Sequence, residues 1–191
     1  MPNNDSGSKD VLKREEDYFR KQDRELIEKM RKASAAAQER LALETQTGIH
    51  DPEMLQQLQD LSFTPDTIGL LPLIPVLQVA WAEGGISAGE RTAIVVLARS
   101  RGITAGSEAD KQLGAWLDQR PSDDTFRKAT RLIAAMVEHP TEGLQDVTAD
   151  DLLKYCEQIA HASGGIFGIG AVSAEERRAL EQITAQLKKR E

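Results

Sequence analysis

The spacing of apolar residues divides the chain into a long, mostly polar N-terminal stretch and a C-terminal series of amphipathic segments. Residues 9–46 contain neither glycine nor proline and mix charged residues with Ala, Leu, Gln and Arg, which favour helix. Ser8 is a predicted N-cap, and Gly48 is a predicted C-terminal glycine. These features predict one long helix over 9–47, preceded by a disordered segment over 1–8.

An apolar stripe runs along this predicted helix. Its members recur every seventh residue, with three more between or after them: Leu12, Phe19, Leu26, Ala33, Met30, Ala37 and Leu41. A stripe this narrow is typical of a coiled-coil seam or of a helix that docks on a protein partner. A solvated helix supported by pairs such as Glu25–Lys29 and Glu28–Lys32 fits the same pattern. The sequence therefore leaves open whether this helix binds a partner, self-associates or is solvated.

Beyond residue 50, capping residues precede amphipathic segments. Asp51 and Thr64 each stand before a proline at the first helical position, and Ser107, Ser122 and Thr148 each precede periodic apolar residues. No segment shows the period of two expected of a half-buried strand. The pattern predicts an all-α fold, a helical bundle over 50–191. Its predicted helices are 52–61, 65–83, 88–101, 108–119, 123–138, 149–162 and 174–189.

Two of these segments are more informative than the rest. Pro72 and Pro75 predict a kink in the helix over 65–83, or a break after Leu71. The clearest buried face is predicted on the helix over 123–138, with apolar residues three or four apart. Its members are Phe126, Ala129, Leu132, Ile133, Met136 and Val137.

Two stretches of the chain repeat the same order of features. VAWA (79–82) leads through a glycine-containing turn to ISAGER (86–91), and IAHA (159–162) leads to VSAEER (172–177). In each stretch Ser-x-x-Glu predicts a capping box, in which the Ser and Glu side chains satisfy each other's backbone N–H groups. The repeat predicts two related helical hairpins within one bundle.

The repeated segments resemble the tellurite-resistance TerB-like domain family, whose signature is an Ala-Asp-Gly turn followed by an apolar residue, a small or polar residue and Glu. AEGGISAGE (82–90) is similar to one copy, with Glu83 at the Asp position. ASG (162–164) with VSAEE (172–176) is similar to a second copy, with Ser163 at that position and an inserted loop. The resemblance covers about residues 65–190. It implies a TerB-like helical scaffold or sensor in a metal- or stress-response pathway, and metal binding through acidic residues.

The net charge, the cysteine count and the apolar runs of the chain restrict its classes of function and its location. The net charge is −7, and the excess of acids lies in residues 46–191, with 14 Lys and Arg against 21 Asp and Glu, which argues against binding nucleic acid through its phosphates. The single cysteine, Cys156, excludes an intramolecular disulfide. The N-terminus lacks the regions of a secretory signal, and the longest apolar run, 68–82, is shorter than the roughly 20 residues that span a bilayer. We expect a cytoplasmic protein without a transmembrane segment.

The candidate chemistry is limited to carboxylates. If the two turns pack side by side, Glu83, Glu90, Glu175 and Glu176 form an acidic cluster that suits a divalent metal ion. The capping box offers a purely structural role for Glu90 and Glu176.

No catalytic residues or organic cofactor are predicted. Cys156 and His161 are five residues apart, which points them to different faces of a helix, and His161 is expected to be a partly buried packing residue. The glycine-rich segment 163–171 has glycines in the reverse of a dinucleotide-binding spacing and follows a helix. The sequence therefore predicts a non-enzymatic interaction module, with a metal-binding sensor as the alternative.

Overall fold

All the regular secondary structure in the described part of the chain is helical. The computed structural model describes residues 5–138, 148–162 and 172–188, and these residues form no β-strand. The prediction of an all-α fold is confirmed. The helices, in chain order, are α1 (Asp5–Thr47), α2 (Pro52–Asp60), a 3-10 helix (Ile68–Leu73), α3 (Ile74–Ala80), α4 (Ala88–Ser100), α5 (Glu108–Asp118), α6 (Asp123–Glu138), α7 (Ala149–Ala162) and α8 (Ala174–Leu187).

The long helix α1 begins earlier than predicted. It starts at Asp5, so Ser8 lies inside the helix and is not its N-cap. The predicted disordered segment 1–8 overlaps α1 at residues 5–8, and residues 1–4 lie outside the described residues. At the other end, Gly48 has a φ of +66° and its N–H donates to the Glu44 carbonyl over 2.8 Å, as a C-terminal glycine does.

The predicted helix over 65–83 is interrupted, but its start and break differ from the prediction. The Thr64 carbonyl accepts the N–H groups of Thr67 and Ile68, so Thr64 belongs to a turn and does not cap a helix that begins at Pro65. A 3-10 helix containing Pro72 follows, and α3 begins after Leu73 with Pro75 in its first turn. Because Pro72 offers no backbone N–H, regular α-helical hydrogen bonding begins only after it, in α3.

The chain divides into two compact units, residues 1–41 and 42–191. In the second unit α3 is central and packs against α6, α7 and α8. Its side chains Ile74, Val76 and Leu77 are fully buried. Fully burying one such aliphatic side chain stabilises the fold by roughly 1.5–3 kcal/mol.

Helix α6 buries the face that its spacing predicts. Five of the six predicted residues are at most 5% exposed, and Val137 is half-buried at the edge of the core. The five are Phe126, Ala129, Leu132, Ile133 and Met136.

The two predicted hairpins are present as α3–α4 and α7–α8. Helix α7 packs against α3, α4 and α8, and α8 also packs against α3, so the four helices form one bundle. Gly84, in the turn between α3 and α4, has a φ of +84°, a conformation that a residue with a Cβ resists. Residues 163–171, between α7 and α8, lie outside the described residues.

Candidate functional site

Two capping boxes of the same geometry begin α4 and α8. In the first, the Ser87 N–H donates to Glu90 Oε2 over 2.7 Å and the Glu90 N–H donates to Ser87 Oγ over 3.2 Å. In the second, the corresponding distances between Ser173 and Glu176 are 2.8 and 3.1 Å. Each box satisfies two N–H groups that a helix start otherwise leaves unpaired. The predicted capping boxes are confirmed, and each turns a glutamate back toward its own helix start.

Both capping glutamates are buried. Glu90 is 3% exposed and Glu176 is 1% exposed, although glutamate is rarely buried so completely. Burial raises the pKa of Glu90 above its usual value, while the hydrogen bonds from Ser87 lower it and the negative charges of Glu176 and Glu83 raise it further. The charge of Glu176 therefore acts on Glu90, although the two residues belong to different capping boxes.

One carboxylate oxygen of Glu176 has no donor among the described residues. Glu176 Oε2 accepts the Ser173 N–H, whereas Glu176 Oε1 is buried and has no hydrogen-bond partner in the described part of the chain. A buried carboxylate oxygen without a donor carries a large desolvation cost. A cation or a water molecule bound at this oxygen would offset that cost.

A close approach of backbones joins the first hairpin to α7. A Cβ placed on Gly89 would lie 2.5 Å from the carbonyl oxygen of Ala162, the last residue of α7. Only glycine fits at position 89, in the first turn of α4, without displacing one of the two helices. The sequence contained a sign of this contact, because Gly89 aligns with Glu175 when the two Ser-x-x-Glu segments are superposed.

The four predicted metal-binding residues fall into two classes. Glu90 and Glu176 are buried, and Glu83 and Glu175 are exposed. Glu83 is near enough for its charge to act on Glu90. Among the described residues, no three His, Cys, Asp or Glu side chains are arranged to hold a metal ion. Ser163, the counterpart of Glu83 in the second hairpin, lies outside those residues.

The other candidate reactive side chains are Cys156, His161 and His50, and they lie in different environments. Cys156 is fully buried, and burial is the main reason that its pKa rises to about 12. A thiol with that pKa is protonated at neutral pH and is a poor nucleophile. His161 is exposed, so the expectation of a partly buried packing residue is wrong. His50 lies 2.8 Å from Glu44 through its Nδ1.

The apolar stripe of α1 is a second candidate site. Its large members are exposed: Phe19 at 63%, Leu26 at 56%, Met30 at 64% and Leu41 at 63%. Ala33 and Ala37 between them are exposed as well, and the side chain of Leu12 is outside the described part of the chain.

Ion pairs flank the stripe of α1. The Lys32 Nζ lies 3.5 Å from the Glu28 carboxylate, as predicted, whereas Glu25 pairs with Lys21 over 3.9 Å rather than with Lys29. All four of these side chains are more than half exposed. Exposed pairs of this kind contribute at most about 1 kcal/mol each.

Comparison of the chain with protein-family models, with curated proteins and with solved structures gives no significant match. None of the helices within the described ranges combines the length and apolar character needed to cross a membrane.

Proposed function

We propose that the protein is a non-enzymatic interaction module that binds a protein surface through the apolar stripe of α1. The carrying observation is that Phe19, Leu26 and Met30 are each more than half exposed along one line of the helix. Scattered exposed apolar residues are ordinary, but a row of them at helical spacing is the form in which one helix presents itself to another.

The alternative of a simply solvated helix is less well supported. None of the side chains described between residues 16 and 41 is buried, and long helices owe most of their stability to packing of an apolar face. The ion pairs along α1 are exposed and individually weak. A partner surface over the stripe supplies the missing packing.

The bundle over 42–191 is proposed to act as a TerB-like scaffold for this helix in a metal- or stress-response pathway of the cytoplasm. The support is the duplicated hairpin with its matched capping boxes at Ser87 and Ser173. The role as scaffold is also consistent with the buried, protonated Cys156 and the exposed His161, which do not form a nucleophile pair.

The test changes the stripe in the full chain. Leu26→Glu combined with Met30→Glu places two charges on it, and Val96→Glu on α4 is the matched control because Val96 is 62% exposed. We expect the stripe variant to lose self-association, or to lose the binding of a captured protein. The control should retain whichever of these two properties the wild-type chain shows. Light scattering after size-exclusion chromatography measures the first, and quantitative affinity capture measures the second. If neither property changes in the stripe variant, the proposal is wrong.

Deletion of α1 tests the same proposal less specifically, because the deletion can also remove a core residue of the second unit. Leu43 and Ile49 are 0% and 1% exposed and belong to the core of residues 42–191. A deletion that extends to residue 47 therefore removes a core side chain along with the helix. A deletion ending at Leu41 follows the boundary between the two units.

We propose a metal-binding sensor as the second candidate function. The favouring observation is that Glu176 Oε1 is buried without a hydrogen-bond partner among the described residues, while the charge of Glu176 acts on the buried Glu90. Two carboxylates suit a hard cation such as Ca²⁺, Mg²⁺ or Mn²⁺. Calorimetric titration with these ions should give binding that Glu176→Gln removes and Glu175→Gln, on the exposed neighbour, retains. Absence of heat up to millimolar metal would exclude this function.

A further inference from the structure

The charges of α1 are distributed unequally along its length. Residues 16–28 carry five acids and three bases, whereas residues 29–41 carry four bases and one acid. One half is therefore net negative and the other net positive. Two copies of this helix attract when they run in opposite directions, because each negative half then lies beside a positive half, and they repel when they run in the same direction.

The side chains on the stripe favour the same orientation. In a parallel pair, Asp23 meets Asp23 within the seam, and Ala33 and Ala37 meet their own copies, which leaves two thinly packed layers. In an antiparallel pair centred on Glu28, residues whose numbers sum to 56 lie opposite each other. Phe19 then faces Ala37, and Leu26 faces Met30.

The antiparallel arrangement also removes the repulsion at Asp23, because Asp23 faces Ala33 instead of itself. Each large side chain meets a small or flexible one, so the seam fills without crowding. The paired segment covers residues 16–40, about 37 Å of helix at 1.5 Å per residue.

We infer that the partner of α1 is a second copy of the same chain, bound antiparallel through the apolar stripe with Glu28 at the centre. This inference rests on the proposed function of the stripe and specifies its partner, orientation and register.

Disulfide cross-linking of full-length chains tests the orientation and the register together. Asp23→Cys is made in one tagged chain and Ala33→Cys in a differently tagged chain, which leaves Phe19, Leu26 and Met30 in place. In the antiparallel pair these two cysteines face each other. Two Asp23→Cys chains instead hold their cysteines ten residues apart, about 15 Å along the axis, beyond the roughly 7 Å limit for a disulfide.

We expect the mixture to form a heterodisulfide and each variant alone to remain largely uncrosslinked. The wild-type chain is the control, because its Cys156 is fully buried and should not cross-link. Light scattering should show a wild-type dimer that Leu26→Glu dissociates. A chain that stays monomeric throughout, or an Asp23→Cys variant that cross-links to itself as fast as the mixture, overturns the inference.

Those contradicting outcomes differ in what they mean for the proposed function. Self-cross-linking of Asp23→Cys indicates a parallel pair, which retains the stripe as an interaction surface. A monomeric chain whose Leu26→Glu variant loses a captured protein indicates a different partner, and again only the inference fails. If the chain is monomeric and the stripe variant changes neither its oligomeric state nor the capture of a protein, both the inference and the proposed function are wrong.

Discussion

Glu90 and Glu176 are buried carboxylates at the starts of two different helices, and the charge of Glu176 helps to raise the pKa of Glu90. Each accepts the N–H of its own capping serine, so the two have the same local geometry. The raised pKa of Glu90 makes the stability of the bundle depend on pH. The sign of that dependence follows from the direction of the pKa shift.

A pH-dependent gain in stability is expected for Glu90→Gln. The pKa of Glu90 is raised above its ordinary value of 4.5, mainly by burial, so the folded state binds this proton more tightly than the unfolded state does. The stabilisation is therefore full below the ordinary pKa and is lost as the pH rises through the folded pKa. Glutamine keeps an acceptor for the Ser87 N–H but does not ionise. Relative to wild type, its free energy of unfolding should increase from pH 4 to pH 7.

Urea unfolding at the two pH values measures this difference. Glu175→Gln is the control, since Glu175 neighbours Glu176 in sequence but is exposed. The difference in the free energy of unfolding between Glu175→Gln and wild type should not increase from pH 4 to pH 7. An equal effect of Glu90→Gln at both pH values would show that ionisation of Glu90 does not destabilise the fold.

Asp110 should show the opposite pH dependence. Hydrogen bonds from the Gly106 N–H and the Arg99 guanidinium lower its pKa below the ordinary value of 3.8. Its contribution to stability is therefore present above the ordinary pKa and is lost as the pH falls through the folded pKa. Asp110→Asn should be less stable than wild type at pH 7, and this deficit should shrink toward pH 3.

Acid titration of the free energy of unfolding tests this expectation. Asp66→Asn, at an exposed position in a turn, is the control and should leave the stability nearly unchanged. If the Asp110→Asn deficit is as large at pH 3 as at pH 7, its origin is packing rather than charge.

The two capping serines should make similar contributions to stability. Ser87→Ala and Ser173→Ala each remove the acceptor of a helix-start N–H, at distances of 3.2 and 3.1 Å. Each substitution should lower the free energy of unfolding by about 1 kcal/mol, the usual value of an N-cap. Ser87→Thr and Ser173→Thr keep a hydroxyl acceptor and should recover most of this loss. Denaturant unfolding compares the four variants, and an effect below a few tenths of a kcal/mol would contradict the prediction.

Local sequence was sufficient to predict most of the helices and both capping boxes. Ser-x-x-Glu is a contact within one turn, so Ser87 with Glu90 needs no knowledge of the rest of the fold. The Thr64-Pro65 pair misled the prediction because a Thr-Pro pair begins turns as well as helices, and the local sequence does not distinguish the two. The start of α1 at Asp5 places Gly7 inside the helix, which the low helix propensity of glycine did not predict.

The candidate site was predictable only in part. That Glu90 and Glu176 are both buried depends on the packing of α4 and α8 against α7, which no local pattern encodes. The grouping of Glu175 with them rested on its place in the sequence beside Glu176, but a helix turns successive residues about 100° apart and leaves Glu175 exposed. The stripe of α1 was predictable because its spacing alone defines it.

The close approach of Gly89 to Ala162 predicts that a larger residue at position 89 destabilises the packing of α4 against α7. Gly89→Ala adds a methyl group 2.5 Å from the Ala162 carbonyl oxygen, so α4 or α7 must shift. We expect a loss of about 1–3 kcal/mol in the free energy of unfolding, as for other overpacked sites. Gly114→Ala in α5 is the matched control, because nothing lies within 4 Å of its added Cβ. That variant should gain up to about 1 kcal/mol, because alanine favours helix over glycine. Denaturant unfolding of both variants measures the difference, and equal stabilities would show that α4 and α7 adjust without strain.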